Sequence, residues 1–195
     1  MRLVADKPLN DRDQQLLAAV ARGERRALEE LYLGYHRRLS RFLARFTPRY
    51  ETIEEIINDT FMVVWQHAGD FRGASRVSTW IIGIAYRTAL KALRRDGPRH
   101  DVDSTGFAEP RIDPVRDTEN QDWVSRGLAQ LPLEQRMVLE LAYHMGHSIE
   151  EIAAITAAPV GTVKARMFHA REKLRQYLPA LAGSDAHRLP AGPTP

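Results

Sequence analysis

The sequence predicts an all-α protein made of two small helical domains joined by a flexible acidic linker, and three observations carry that prediction. Apolar residues recur at spacings of three and four along most of the chain, while no useful length alternates with the period of two that a strand needs. Between Asp96 and Asp122 the text reads DGPRHDVDSTGFAEPRIDPVRDTENQD, with three Pro, two Gly and no helical period, the composition of a connector. Beyond it the helices are short and sharply punctuated by Gly, Ser and Pro.

Residues 1–12 are expected to be unstructured, and the first domain spans 13–95. Its first stripe is Leu28, Leu31, Tyr32, Tyr35, Leu39, Phe42, Leu43 and Phe46, which Pro48 stops. The second stripe is Ile53, Ile56, Ile57, Thr60, Phe61, Val64 and Trp65. A third helix should begin after Ser78 or Thr79 and bury Ile81, Ile84, Ala85 and Thr88. The linker covers 96–122. In the second domain, 123–181, LPLEQRMVLELAYHMG forms a helix ending near Gly146, where glycine can take the left-handed cap. Ser148 and Glu151 then make a capping box that starts a helix through Ile149, Ile152 and Ile155. After TAAP, whose Pro159 suits a helix start, comes PVGTVKARMFHAREKLRQYL. Two helices joined by so short a connector form a helix-turn-helix. The tail, 182–195, should be unstructured.

Composition narrows the function. Of 195 residues, 44% are hydrophobic and 27% charged, so the chain can build a core without crosslinks. It has no Cys, which excludes disulfides and thiolate metal sites and fits a reducing compartment. No apolar run approaches the roughly 20 residues that cross a bilayer, and MRLVADKPLNDRDQQ lacks a signal peptide's apolar segment. A cytoplasmic protein with no membrane insertion is expected. The net charge of +3 is modest, but its distribution is blocky. Residues 22–49 hold eight Arg against three Glu, residues 51–70 hold five acids and no Lys or Arg, and residues 75–95 hold five cations and no acid. The linker sets eight acids against three Arg. Such blocks suggest separate surfaces for unlike partners.

At 100° per residue, Val163, Met167, Ala170, Leu174 and Leu178 share one side of the last helix and should face the core. The opposite side carries Gly161, Ala165, Phe168, His169 and Glu172, flanked by Lys164, Arg171 and Arg175 on one edge and by Thr162, Arg166 and Lys173 on the other. Small or hydrogen-bonding residues between two cationic edges suit a helix in the major groove, where bases lie between phosphate strands. In FRGASRVSTWIIGIAYRTALKALRR, residues 71–95, the cations Arg87, Lys91 and Arg94 share a face and Trp80 and Tyr86 lie toward the helix start. Cations beside aromatics are the parts that hold unpaired DNA, although Trp80 also reads as packing. Catalysis and cofactors are not expected. Glu55 and Asp59 lie one turn apart without the Glu-x-x-His pairs of a carboxylate-bridged metal bundle, and Glu140 with His144 reads as an exposed pair.

NDTFMVVWQHAGDFRG, STWIIGIAYRTALKALRR and LPLEQRMVLELAYHMGHSIEEIAAITAAPVGTVKARMFHAREKLR, in that order around an acidic linker, resemble a bacterial sigma factor of the extracytoplasmic-function group. The resemblance implies a factor that binds core RNA polymerase, directs it to a promoter and melts the DNA. Glu55, Asn58, Asp59, Phe61 and Trp65 would dock on the beta-prime coiled coil, with the beta flap as a further contact. Arg72, Ser75, Arg76, Ser78, Trp80, Tyr86, Arg87, Lys91, Arg94 and Arg95 would engage the minus-ten element. Gly161, Thr162, Lys164, Ala165, Arg166, Phe168, His169, Arg171 and Arg175 would read the minus-thirty-five element. An anti-sigma factor is the implied regulator. The pattern departs from the family at Thr156, where Leu is frequent, and at Ala157, where Gly is usual and a positive φ would cost about 1 kcal/mol. Ala165, His169 and Arg87 replace a common Ser, Arg and Asn. A helix-turn-helix regulator that binds duplex DNA without polymerase is the rival reading, and it leaves the first domain without a purpose.

Overall fold

A computed structural model describes residues 6–96 and 126–185, with side chains from 10 to 95 and from 126 to 177. The helices are α1 (Asp6–Ala21), α2 (Arg25–Leu43), α3 (Tyr50–His67) and α4 (Val77–Asp96), then α5 (Leu133–Leu139), α6 (Ile149–Thr156) and α7 (Val160–Asp185). A 3-10 turn, Ala68–Asp70, follows α3, and a π-helical turn, Glu140–His144, follows α5. No strand occurs among the described residues. Past Asp96 the linker expected over 96–122 lies outside them, as do the first five residues and those after Asp185.

The two long stripes of the first unit pack as their spacing requires. Ala27, Leu31, Tyr35, Leu39, Phe42 and Leu43 of α2 are buried, as are Ile53, Ile56, Ile57, Thr60, Phe61 and Val64 of α3. Two starts differ from expectation. Helix α1 begins at Asp6, inside the stretch 1–12 expected to lack structure, and buries Leu17, Ala19 and Val20. Its polar first half is tied down from afar, because the Asn10 side-chain oxygen accepts from the Val77 backbone N–H at 3.2 Å. That same bond occupies an orphan donor at the first residue of α4, which starts at Val77 rather than after Ser78 or Thr79.

In the second unit Gly146 adopts φ 73° after the π turn, and the capping box forms with both of its hydrogen bonds, at 2.9 and 3.2 Å. Ala157 takes the left-handed conformation, φ 51° and ψ 38°, and its N–H bonds back to Ala153 and Ala154. The turn therefore carries the strain of about 1 kcal/mol that a Cβ brings to this region. Thr156 donates its hydroxyl to the Ile152 carbonyl at 2.8 Å, which satisfies a polar side chain where an apolar one would otherwise pack.

The two units share one core. Met137, Val138, Leu141, Ile152, Ile155, Val163 and Met167 belong to the same buried cluster as the first unit's Leu39, Ile56 and Ile82. Glu140 corrects the reading of Glu140 and His144 as an exposed pair. It is 4% exposed, and its carboxylate accepts from Arg45 Nε of the first unit at 3.0 Å. Arg136 donates to the Arg45 carbonyl and lies over the Phe46 ring, 5.1 Å from its centroid. The exposed-pair reading failed because the partner is 95 residues away in sequence and no local pattern reveals it.

Candidate nucleic-acid and polymerase interfaces

Helix α7 uses one stripe for packing. Val163, Met167 and Ala170 are buried and Leu174 is half-buried, while Gly161, Lys164, Ala165, His169, Arg171 and Arg175 are exposed and Phe168 stands 59% exposed. The Phe168 and His169 rings meet edge to face at 5.6 Å, so they project as one unit. Nothing stands within 4 Å of a Cβ built on Gly161. Thr162 is half-buried. Arg166 differs from its neighbours: it turns away from the outer face and binds Glu134 at 2.6 Å.

Arg171 is held by a residue that sequence reasoning missed. Its guanidinium donates to the Tyr143 hydroxyl at 2.6 Å and lies 5.7 Å from that ring's centroid. Tyr143 is 68% exposed and sits in the π turn. The extra residue that a π turn accommodates sets its side-chain directions, and a regular 3.6-residue wheel misplaces them.

Helix α4 is packed on more than one side. Val77, Ile81, Ile84, Ala85 and Ala92 fall on one arc, and Thr79, Ile82, Gly83 and Tyr86 form a second buried arc. Between them runs an outward strip of half-buried Trp80 with exposed Arg87, Lys91 and Arg94. Trp80 rests on Phe71, ring centroids 5.6 Å apart, so it packs on one side and shows the other. Tyr86 is 3% exposed, and burial pushes its phenol above the ordinary range while the Arg166 guanidinium pulls it back. Before the helix, Arg72 is exposed and Ser75, Arg76 and Ser78 are half-buried around the turn at Gly73, φ 72°. Arg76 faces Glu151 at 3.9 Å, Arg94 binds Glu134, and Arg95 binds Glu55 at 3.1 Å.

Helix α3 shows an anionic face. Glu55, Asn58 and Asp59 are exposed, and Asn58 accepts from the Tyr32 hydroxyl at 3.3 Å. Trp65 is half-buried. Phe61 lies inside, 4% exposed, with its ring edge-on to Tyr32 at 5.1 Å. As placed it supports this face from beneath and cannot touch a docked partner. The residue that takes its place at the surface is Met62, 56% exposed and on the same turn-spaced series as Glu55, Asn58 and Asp59. The i, i+3, i+4, i+7 spacing of 55, 58, 59 and 62 was visible in the sequence as the signal for it.

A chain that is all-helical among the described residues, with a cationic helix-turn-helix, a second cationic helix bearing aromatics and an anionic helix packed beside that second one, belongs to the class of DNA-binding transcription proteins. Comparison with known proteins narrows that class. Family models described as Sigma-70 region 2 and Sigma-70, region 4 match residues 31–99 and 121–174. An RNA polymerase sigma-H factor of Pseudomonas aeruginosa is 33% identical over 186 residues, which cover 88% of this chain and 96% of that one. The ECF RNA polymerase sigma factor SigM of Mycobacterium tuberculosis is 34% identical over 167 residues, covering 85% and 84%. Among solved structures, CnrH in complex with the cytosolic domain of CnrY aligns with TM-score 0.64 at 23% identity, over 87% of this chain and 98% of that one. The sigma factor RpoE of Bartonella quintana, in complex with the anti-sigma factor NepR, aligns with TM-score 0.58 at 25% identity, over 77% and 95%. The chain belongs to the extracytoplasmic-function group of sigma-70 RNA polymerase sigma factors.

Proposed function

We propose that this sigma factor divides its work among three surfaces. The face of α3 that bears Glu55, Asn58, Asp59 and Met62 docks on the beta-prime coiled coil of core polymerase. Acids around one exposed apolar side chain suit a basic protein surface, since charge steers the encounter and the buried centre holds the complex. The strip of α4 with Trp80, Arg87 and Lys91, together with the loop at Arg72 and Ser75, holds the melted minus-ten strand through backbone charge and base stacking. The outer face of α7 reads the minus-thirty-five duplex, with Gly161 and Ala165 permitting close approach, Phe168 available to a thymine methyl and His169 to a base edge. Lys164 and Arg171 hold the phosphates on one edge. The chain acts in the cytoplasm, on nucleoid DNA, under an anti-sigma factor, a reading supported by the sigma factor RpoE of Bartonella quintana, which is bound to the anti-sigma factor NepR.

The observation that carries this reading is the coexistence in one chain of an exposed anionic helix face and two cationic helices, which a solitary duplex reader does not need. Transcription from genomic promoter fragments with purified core polymerase tests it. Specific initiation is expected with the factor and none without it; equal transcription in both reactions would overturn the assignment. In duplex binding, Lys164→Ala should lower affinity on all promoters and reduce the salt slope by about one, whereas changing His169 should shift sequence preference.

A further inference from the structure

We propose that Met62 is a methionine-oxidation site, and that its sulfoxide weakens the grip of this chain on core polymerase. The consequence rests on the docking face proposed above; the modification itself does not.

Three observations single out Met62. It is 56% exposed, whereas Met137 and Met167 are buried at 0% and 6% and Met145 is half-buried, so among the described residues an oxidant in solution meets this thioether first. The chain has no Cys, and hence no thiolate that would consume the oxidant before it. The third observation is its place: Met62 shares a face of α3 with the exposed Glu55, Asn58 and Asp59, while its neighbour Phe61 lies beneath at 4% exposure. The carboxylates around it disfavour anionic oxidants and leave a neutral hydroperoxide as the reagent that fits.

The step balances with the hydroperoxide alone. A lone pair on the Met62 sulfur takes the terminal oxygen, the O–O bond breaks as the S–O bond forms, and the remaining oxygen accepts the proton and leaves as water or an alcohol. Sulfur loses two electrons and the peroxide gains them. A flexible apolar side chain thereby becomes a polar, chiral one. On the free chain, water solvates the S–O group, so the fold keeps its stability. In the docked state the same group sits at the apolar centre of a patch rimmed by acids, where its oxygen must find a donor or forfeit its hydration. Methionine sulfoxide reductases reverse the change, with two thiols oxidised to a disulfide and the oxygen released as water.

Exposing the full-length free chain to dilute hydrogen peroxide, which is removed before core polymerase is added, tests both parts. Peptide mass spectrometry should find one added oxygen at Met62 before Met137 or Met167. Affinity for core polymerase should fall about tenfold, the scale of losing one apolar anchor from an interface, with helical content by circular dichroism and affinity for minus-thirty-five duplex unchanged. Methionine sulfoxide reductases A and B together, one for each epimer, should restore it. Met62→Leu sets its own starting affinity, which peroxide should leave where it is. Oxygen added at the buried methionines first would overturn the site, and equal loss in the parent and in Met62→Leu would overturn the link to docking. Asp59→Arg separates the two readings. A sulfoxide without effect, beside loss of polymerase binding in Asp59→Arg, would overturn the role of Met62 alone, whereas full binding by Asp59→Arg would overturn the docking face itself.

Discussion

Helices α4 and α7 are both cationic, and they are put to opposite uses. Helix α7 commits one stripe to the interior, turns Arg166 back to Glu134, and keeps its outer face for solvent or DNA. Helix α4 commits two arcs, one to its own unit and one to the other, and is left with a narrow outward strip. The difference lies in side-chain size. Gly83, Ala85, Ala89 and Ala92 let neighbours approach α4 closely, whereas α7 projects Phe168, His169 and Arg171 outward. A helix becomes a core element or a reading head according to how much of its surface is small and apolar, even when both carry the same charge.

The largest expected effect breaks the comparison at the seam beside α4. Glu140 is 4% exposed, whereas its partner Arg45 is 38% exposed. Removing the arginine leaves a buried carboxylate that keeps Arg136 as a neighbouring charge, so Arg45→Ala should cost about 2 kcal/mol, below a fully buried pair. Removing the carboxylate leaves a guanidinium that can turn to water, so Glu140→Ala should cost about 1 kcal/mol. Urea unfolding of the two variants measures both. The reverse order would mean that water reaches Glu140 and that the two units are less firmly packed than described.

What the sequence made legible divides along the same line. The stripes of α2 and α3, the capping box at Ser148 and the outer face of α7 all follow from spacings of three or four, because their causes are local. The second arc of α4, the burial of Glu140 and the start of α1 at Asp6 depend on residues many positions away. Phe61 belongs with them. The resemblance set it among the docking residues while spacing set it on the apolar stripe, and at 100° per residue it points between α2 and α3, with Met62 one step on pointing out. Spacing could have told the two apart where the motif alone did not.

A smaller effect sharpens the comparison through pH. His147 ends the connector before α6, buried beside Arg38 of α2, with ring Nε2 3.4 Å from that guanidinium and Nδ1 3.4 Å from a Glu151 oxygen. Burial first, then Arg38, hold its pKa below the ordinary 6.5; Glu151 opposes them and Arg76 adds to them. The folded chain therefore prefers the neutral ring. The stabilisation is complete above 6.5 and is lost as pH falls from there toward the lowered folded value, because the unfolded chain binds the proton first. Stability measured by denaturant should decline over that window, and His147→Gln should flatten the decline. A parent curve with no slope below 6.5 would show that the ring is solvated and that this part of the seam is open.

The smallest effect concerns α7 alone. Tyr143 contributes to Arg171 both a hydroxyl acceptor at 2.6 Å and a ring face, and these can be separated. Tyr143→Phe keeps the ring and loses one exposed hydrogen bond of about 0.5 kcal/mol, so duplex affinity should fall about twofold. Tyr143→Ala also loses the cation–π contact and should fall roughly threefold further. Neither should change stability appreciably, because the side chain is 68% exposed. A positioning role makes a further demand that a structural one does not: Arg171 keeps its charge in both variants, so the salt slope of binding should match the parent. Arg171→Ala should reduce that slope by about one. If Tyr143→Phe lowered the slope as well, the tyrosine would be contacting the phosphate itself, and the division between the residue that touches DNA and the one that aims it would have to be redrawn.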